Sequence, residues 1–258
     1  MIPIVSITDL INGIIAAAIA VRLAFMLRPV PPAQGGLVRW YDSNKQNGLL
    51  EFIGFYLFFA LFWLLFATPE LIFQDVFSIT IAAIIGYLFL FISLAFVIQI
   101  PFIFFERRWL GMVLGVLIMT LALAFLIGRI IDPALDKQEI IPPYVFWSEA
   151  YSPWIRFFPG IAGLVAAGTF TITFVYIAWY AAPRWHVEGK TRIYRAAVCL
   201  GGGMTLLLVA AIMFFILSRG GFLVSVVTSS LCIAGLLVML RGIKYMHEER
   251  KYQIDNPS

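Results

Sequence analysis

Apolar residues fill seven long segments of the chain, and polar residues and prolines gather in the stretches between them. A helix needs about 20 mainly apolar residues to cross a hydrocarbon core of about 30 Å, and each segment has that length. The pattern therefore predicts an all-α fold, a bundle of seven transmembrane helices in one domain from residue 1 to residue 258. The predicted spans are about 4–27, 49–67, 76–104, 109–131, 157–182, 195–218 and 221–243.

Prolines and glycines mark the breaks between the predicted helices. The sequence TPE at residues 68–70 is expected to follow the second helix. Of the 13 prolines, only Pro101 and Pro159 fall within a predicted helix, each near an end. We therefore expect largely unbroken helices.

The composition supports a membrane class. Hydrophobic residues make up 62% of the chain and charged residues 12%, whereas a soluble domain has about 25% charged residues. Cys199 and Cys232 both fall inside apolar segments, which predicts small buried side chains rather than a disulfide or a metal pair. The N-terminus lacks the basic region of a signal peptide, so we expect the first helix to be retained.

Basic residues are distributed unequally between the two sets of loops. Thirteen of the 18 Lys and Arg residues lie after the first, third, fifth and seventh segments, and four lie on the opposite side. The positive-inside rule then predicts an external N-terminus and a cytoplasmic C-terminus. The net charge of +4 follows this orientation pattern, so we expect no nucleic-acid partner. The expected location is the bacterial inner (plasma) membrane.

The most aromatic stretch lies in the long predicted external loop, residues 132–156, which we expect to be structured. Its rings recur at intervals of three and four, which is typical of one stripe of a helix. Pro153 would interrupt a single helix, so two short helical turns are an equal alternative. The rings belong to Tyr144, Trp147, Tyr151, Trp154 and Phe158.

Trp147 and Trp154 have two interpretations. Trp and Tyr favour the headgroup zone, because their rings are apolar and their N–H or O–H stays hydrated. The stretch is then an aromatic belt on the outer leaflet. Alternatively it is a lid over an opening between helices, and both tryptophans then contact a ligand.

The residues within the apolar segments limit the chemistry. All five lysines lie in loops or at a helix end, so no amine is placed for a retinal Schiff base. His186 and His247 lie apart on the predicted cytoplasmic side, which provides no haem pair and no metal cluster. We expect no metal site and no catalytic residues, and the sequence identifies no cofactor.

Asp9 is the one carboxylate placed well inside a predicted helix. It is either a water-exposed residue at the outer interface or a buried polar anchor. Asn12 follows three residues later, so both lie on the same helical face. Both are candidate ligand-binding residues.

Hydroxyl side chains recur at helical spacing in two further segments. Thr169 and Thr173 are expected near mid-membrane, and Ser225 and Ser229 in the outer half. Such groups commonly join neighbouring helices or bond to their own backbone. The alternative is an outward-facing cavity with a few polar anchors and aromatic walls, which is typical of a small-molecule pocket.

Small residues predict close contacts between helices. The fourth segment contains GMVLG, with Gly111 and Gly115, and GGG at 201–203 lies early in the sixth. Gly160, Gly163 and Gly168 line the fifth segment.

The topology, the short loops and the aromatic second segment, FIGFYLFFALFWLLFATPELIF, resemble one known group. This is the seven-helix sensory input region of some bacterial histidine kinases and cyclases. The resemblance implies a receptor-like layout. Only KYMHEERKYQIDNPS follows the seventh segment, so it also implies that output passes to a partner.

In size and orientation the chain is also similar to sugar transporters built from two three-helix repeats and a linker helix. That family depends on prolines inside four spans, and the corresponding spans here have none in their interiors.

We therefore expect a non-enzymatic receptor-like or accessory membrane subunit. It would bind an apolar or amphipathic, lipid-like ligand, or the helix of a membrane protein partner, from the outer leaflet of the bilayer. The alternative is a facilitator-type transporter of a small neutral solute, which needs a polar path to the cytoplasmic side. A membrane enzyme is the third hypothesis.

Overall fold

The structure, a computed structural model, describes residues 3–27, 48–72, 75–141, 144–148, 152–182, 190–217 and 222–255. Within these ranges the chain forms eight α-helices, one π-helical turn and one β-hairpin. The helices are α1 (Ile4–Ala24), α2 (Leu49–Ile72), α3 (Val76–Val97), α4 (Gln99–Phe104), α5 (Arg108–Ile131), α6 (Pro153–Ala181), α7 (Lys190–Ile212) and α8 (Phe222–Asp255). The π-helical turn is Met213–Leu217, and the strands are β1 (Lys137–Ile141) and β2 (Tyr144–Ser148).

Seven helical segments in the described part of the chain are long and apolar enough to cross a membrane, with α3 and α4 counted as one. This confirms the predicted number of spans. A helix of 24 residues, such as α2, is about 36 Å long and exceeds a hydrocarbon core of about 30 Å.

Several predicted helix ends were wrong, among them the start of α7, which lies at Lys190 instead of residue 195. α2 continues through Pro69 to Ile72, so Pro69 is a third proline inside a helix. Proline lacks one N–H donor and disturbs a single turn, while Glu70 in the same turn accepts a 2.5 Å hydrogen bond from Ser6 Oγ of α1.

Pro153 begins α6 instead of interrupting a helix, because the first helical position needs no N–H bond. α8 continues past the predicted end to Asp255.

Six of the helices form a closed ring in the order α1, α2, α3, α6, α7 and α8, with α8 packed back against α1. α5 lies outside the ring against α3 and α6. Accordingly, 56% of the most apolar stretch of α2 is buried, whereas only 28% of the most apolar stretch of α5 is buried. Aromatic side chains of α2 fill the interior, among them Phe52, Phe55, Tyr56, Phe59 and Trp63.

Close helix contacts are confirmed at some of the predicted glycines. A Cβ atom added at Gly203 would lie 2.7 Å from the carbonyl oxygen of Gly235, so these residues bring α7 and α8 together. A Cβ at Gly111 would lie 3.0 Å from Gln99 Cα. Gly163 and Gly168 are different, because an added Cβ would meet no described atom within 4 Å beyond the adjacent part of its own helix. For these two the packing interpretation was wrong.

The aromatic stretch is not one helix. Strand β2 pairs antiparallel with β1, with Trp147 opposite Gln138, and helical structure begins only at Pro153. The 3–4 spacing of the rings was therefore misleading, because strand pairing with 137–141 competes with local periodicity.

β2 contacts α1. Asp136, just before β1, donates its backbone N–H to Thr80 near the start of α3, and Ser6 near the start of α1 bonds to Glu70 near the end of α2. The hairpin therefore lies at the N-terminal end of α1. We call this end of the bundle the hairpin side.

Two carboxylates outside the membrane-spanning helices hold the backbone in place at helix ends. Asp132 accepts a 2.9 Å hydrogen bond from the backbone N–H of Ser152, and the hydrogen bonds from Ser152 hold the pKa of Asp132 below its usual value. Asp75 caps α3 through Ser78, whose hydrogen bonds likewise hold the pKa of Asp75 low. Such capping bonds satisfy N–H groups that the first helical turn leaves free.

The predicted orientation places the hairpin side outside the cell. In a chain with Cys199 and Cys232 replaced by alanine, Pro133→Cys should react with an impermeant thiol reagent added to intact cells, and Arg107→Cys should not. Both positions are exposed, so access to the reagent decides the result. Labelling of Arg107→Cys and not of Pro133→Cys would show that the hairpin side faces the cytoplasm.

Candidate functional site

A buried polar pair joins the first and last helices on the hairpin side. The hydroxyl of Ser229 on α8 donates a 2.5 Å hydrogen bond to Asp9 Oδ1 on α1. Asp9 is 7% exposed and Ser229 2%. Of the two interpretations of Asp9, the buried anchor is therefore the one that the structure supports.

Asn12 lies one helical turn from Asp9 and is fully buried. Its amide nitrogen donates to the carbonyl of Thr8 at 3.3 Å. Among the described residues, its Oδ1 atom has no hydrogen-bond partner. Asn12 thus shares the face of the Asp9–Ser229 pair without bonding to it.

A cavity of about 70 Å³ lies inside the ring. Side chains from α2, α3, α6, α7 and α8 and from the π-helical turn line it, and nearly all are apolar. A single water molecule needs about 10–15 Å³ of such space. The cavity therefore has room for a group of several heavy atoms. Gly163 forms part of its wall, which explains why a Cβ there would meet open space.

Two polar side chains of the cavity wall have atoms without a hydrogen-bond partner in the described part of the chain. They are the indole Nε1 of Trp63 and the hydroxyl of Thr228. Trp63 is 4% exposed and Thr228 3%. A buried polar group that makes no hydrogen bond costs about 1–3 kcal/mol, and buried indoles usually have a partner. A bound molecule with an oxygen acceptor would remove this cost.

A groove of about 220 Å³ runs between α6 and α7 beside the cavity. Ala211 and Phe215 belong to the walls of both spaces. Phe215 lies on the π-helical turn, and such turns often occur at functional sites. Phe157, Ile161 and Leu164 of the groove are 62%, 45% and 55% exposed, so one side of the groove opens toward the surroundings of the bundle.

The predicted site residues are only partly brought together. Asp9, Asn12 and Ser229 lie together on the hairpin side, and Ser225 lies one turn before Ser229 on α8. Thr173 is buried and Thr169 half-buried, and neither belongs to the wall of the cavity or the groove.

The two tryptophans of the proposed lid have different positions. Trp154 is 44% exposed and packs over Gly128 of α5, with its ring 5.9 Å from that of Phe158. It belongs to neither the cavity wall nor the groove wall. The side chain of Trp147 and the residue Tyr151 lie outside the described part of the structure, so the lid stays a prediction.

Sequence reasoning missed Trp63, Thr228 and Phe215. Trp63 lies in the middle of an aromatic segment, where a single indole N–H gives no distinct signal. Thr228 directly precedes the predicted Ser229, but the two face different neighbours because consecutive helical positions are about 100° apart. The π-helical turn has no periodic pattern that would distinguish it from an α-helix.

Among the described residues, no group of three or more His, Cys, Asp and Glu side chains could hold a metal ion. No protein-family model, no curated protein and no solved structure matches the chain. Function is therefore inferred from the geometry of the cavity and of the polar atoms around it.

Proposed function

We propose that the chain is a non-enzymatic, receptor-like or accessory membrane subunit that binds an apolar or amphipathic molecule within its helical ring. The supporting observation is the apolar cavity whose wall includes the residues Trp63 and Thr228. The indole Nε1 of Trp63 and the hydroxyl of Thr228 are buried and have no hydrogen-bond partner among the described residues. Pockets of this kind, mostly apolar with a few polar groups, are typical of small-molecule sites.

The wall chemistry restricts the ligand. An indole N–H only donates, whereas a threonine hydroxyl both donates and accepts. The bound group therefore carries at least one acceptor oxygen. A charged group would lose its hydration in an apolar cavity, which is costly without a partner of opposite charge. The ligand is thus apolar over most of its surface and ends in an uncharged oxygen group.

A facilitator is less well supported than a receptor. The cavity wall toward the other end of the bundle includes Val97, Ala167 and Met204, which provide no polar side chain for a solute. The seven-helix sensory region that the sequence resembles suggests that binding is reported to a partner protein.

The glycines of α6 provide a matched test. Gly163→Leu places a side chain in the cavity. Gly168→Leu adds the same side chain outside the cavity wall, at a position where an added Cβ would meet no described atom within 4 Å beyond the adjacent part of its own helix. The protein is extracted in mild detergent, and co-purifying small molecules are identified by native mass spectrometry. We expect an apolar, oxygen-containing molecule to co-purify with the wild type and with Gly168→Leu. With Gly163→Leu its occupancy should fall about tenfold, because the leucine would take the space of the ligand and a loss of about 1.4 kcal/mol in binding is a factor of ten.

Equal occupancy in the two variants would contradict the proposal. Trp63→Phe is a second test, because it keeps the ring and removes the N–H donor. Loss of one hydrogen bond of about 1 kcal/mol should weaken binding by about fivefold.

A further inference from the structure

The groove between α6 and α7 extends the proposed site, and the inference below therefore rests on the proposed function. The cavity, at about 70 Å³, is smaller than the groove, at about 220 Å³. A cavity of this size holds the polar end of a lipid-like molecule and a few carbons, but not a long chain. The rest of such a ligand needs a second space.

The groove adjoins the cavity through a shared wall. Phe215 and Ala211 line both spaces. The ring of Phe215 lies 6.3 Å from that of Tyr87 and 5.1 Å from that of Phe214. A Cβ added at Gly160 would lie 3.6 Å from Phe215 Cβ, so the absence of a side chain at Gly160 leaves the groove open beside Phe215.

The two spaces differ in chemistry. The wall of the cavity includes Trp63 and Thr228, whose indole Nε1 and hydroxyl have no hydrogen-bond partner among the described residues. The walls of the groove are apolar except for Arg156 at its end on the hairpin side. This difference assigns an orientation to an elongated ligand, with its oxygen inside the ring and its chain in the groove.

We propose that the ligand is an uncharged single-chain amphiphile with a terminal oxygen group, which enters from the membrane between α6 and α7. The oxygen end of the ligand lies at Trp63 and Thr228. Its chain lies along Ile161, Leu164 and Leu208. Between the two spaces the ligand passes the side chain of Phe215. Phe215 lies on the π-helical turn, and such turns often occur at functional sites.

The test uses two photoreactive forms of hexadecanol with the purified chain in phospholipid nanodiscs. One form carries a diazirine beside the hydroxyl carbon and the other carries it at mid-chain. Cross-linked residues are mapped by peptide mass spectrometry. We expect the first form to label cavity residues such as Met204 and Cys232, and the second to label Leu164 and Leu208. Excess unlabelled hexadecanol should compete, and hexadecane should not.

Three leucine variants separate the two proposals. Gly160→Leu obstructs the groove, Gly163→Leu obstructs the cavity, and Gly168→Leu obstructs neither. We expect the first two to reduce cross-linking about tenfold and the third to leave it unchanged. Thermal unfolding of each variant shows whether it is folded, and the labelling map of the wild type does not depend on any variant.

The outcomes distinguish failure of the groove proposal from failure of the proposed function. Reduced labelling with Gly163→Leu but normal labelling with Gly160→Leu overturns the groove and leaves the cavity site intact. Normal labelling with both overturns the proposed function as well. Mid-chain labelling confined to cavity residues overturns the orientation. Labelling by a phospholipid with a diazirine in its acyl chain, without labelling by hexadecanol, overturns the single-chain class.

Discussion

Gly203→Ala should lower the thermal stability of the purified protein strongly, whereas Gly202→Ala should not. The added methyl at Gly203 would lie 2.6 Å from Met239 Cγ, 2.7 Å from the carbonyl oxygen of Gly235 and 2.8 Å from the backbone nitrogen of Met239. Two of these three atoms belong to the backbone of α8, so the helices must separate to admit the methyl. Overpacking costs about 1–3 kcal/mol, and we expect the upper end of this range.

Gly202 is the matched control, because an added Cβ there would have no described atom within 4 Å. Alanine is favoured over glycine inside a helix by up to about 1 kcal/mol, so Gly202→Ala should be neutral or slightly stabilising. The measurement is the midpoint of thermal unfolding in one detergent. Equal midpoints for the two variants would show that α7 and α8 do not approach closely at Gly203.

The contrast between these neighbours shows what the sequence could reveal about packing. The motif GGG predicts a close contact, and one is present at Gly203. The motif does not identify which glycine makes the contact, because that depends on the rotation of α7 against α8. Gly163 illustrates the same limit, since a glycine predicted for close packing instead leaves part of a cavity empty.

The seven spans were predictable because a long apolar run has few alternatives to a membrane helix. The ends of the helices were less predictable. Pro69 remains inside α2, where Glu70 bonds to Ser6 of α1, and that partner lies far away in the sequence. The hairpin was missed for a similar reason, because pairing of Tyr144–Ser148 with Lys137–Ile141 overrides the helical spacing of the aromatic rings.

The candidate site was predictable only in its polar part. Asp9, Asn12 and Ser229 are conspicuous because carboxylates and amides are costly inside a membrane. Trp63 and Thr228 are ordinary residues in their own segments. They become notable only where five helices and the π-helical turn enclose one cavity, and the sequence does not specify that arrangement.

Loss of the Ser229 hydroxyl should also destabilise the bundle, because it leaves Asp9 buried without its hydrogen-bond donor. Ser229→Ala should cost about 1–3 kcal/mol, the usual penalty for an unsatisfied buried polar group. Hydrogen bonds between membrane helices contribute about 0.6 kcal/mol on average and at most about 1.7, so we expect a cost toward the lower end of this range. Ser230→Ala is the control, since Ser230 is exposed and bonds to the carbonyl of Val226 on its own helix.

Asp9→Leu, alone and combined with Ser229→Ala, completes a double-mutant cycle. Replacing both partners by apolar groups can be nearly neutral, whereas removing one leaves the other unsatisfied. The double variant should therefore be more stable than Ser229→Ala alone, with a coupling energy of about 1 kcal/mol.

The Asp9–Ser229 bond joins α1 to α8, the contact that closes the ring, so unfolding of Ser229→Ala should begin with release of α1. Hydrogen exchange measured by mass spectrometry should show that release as faster exchange in α1 than in α6. Additive effects of the two substitutions, or equal stability of Ser229→Ala and Ser230→Ala, would mean that the Asp9–Ser229 bond does not hold the ring closed.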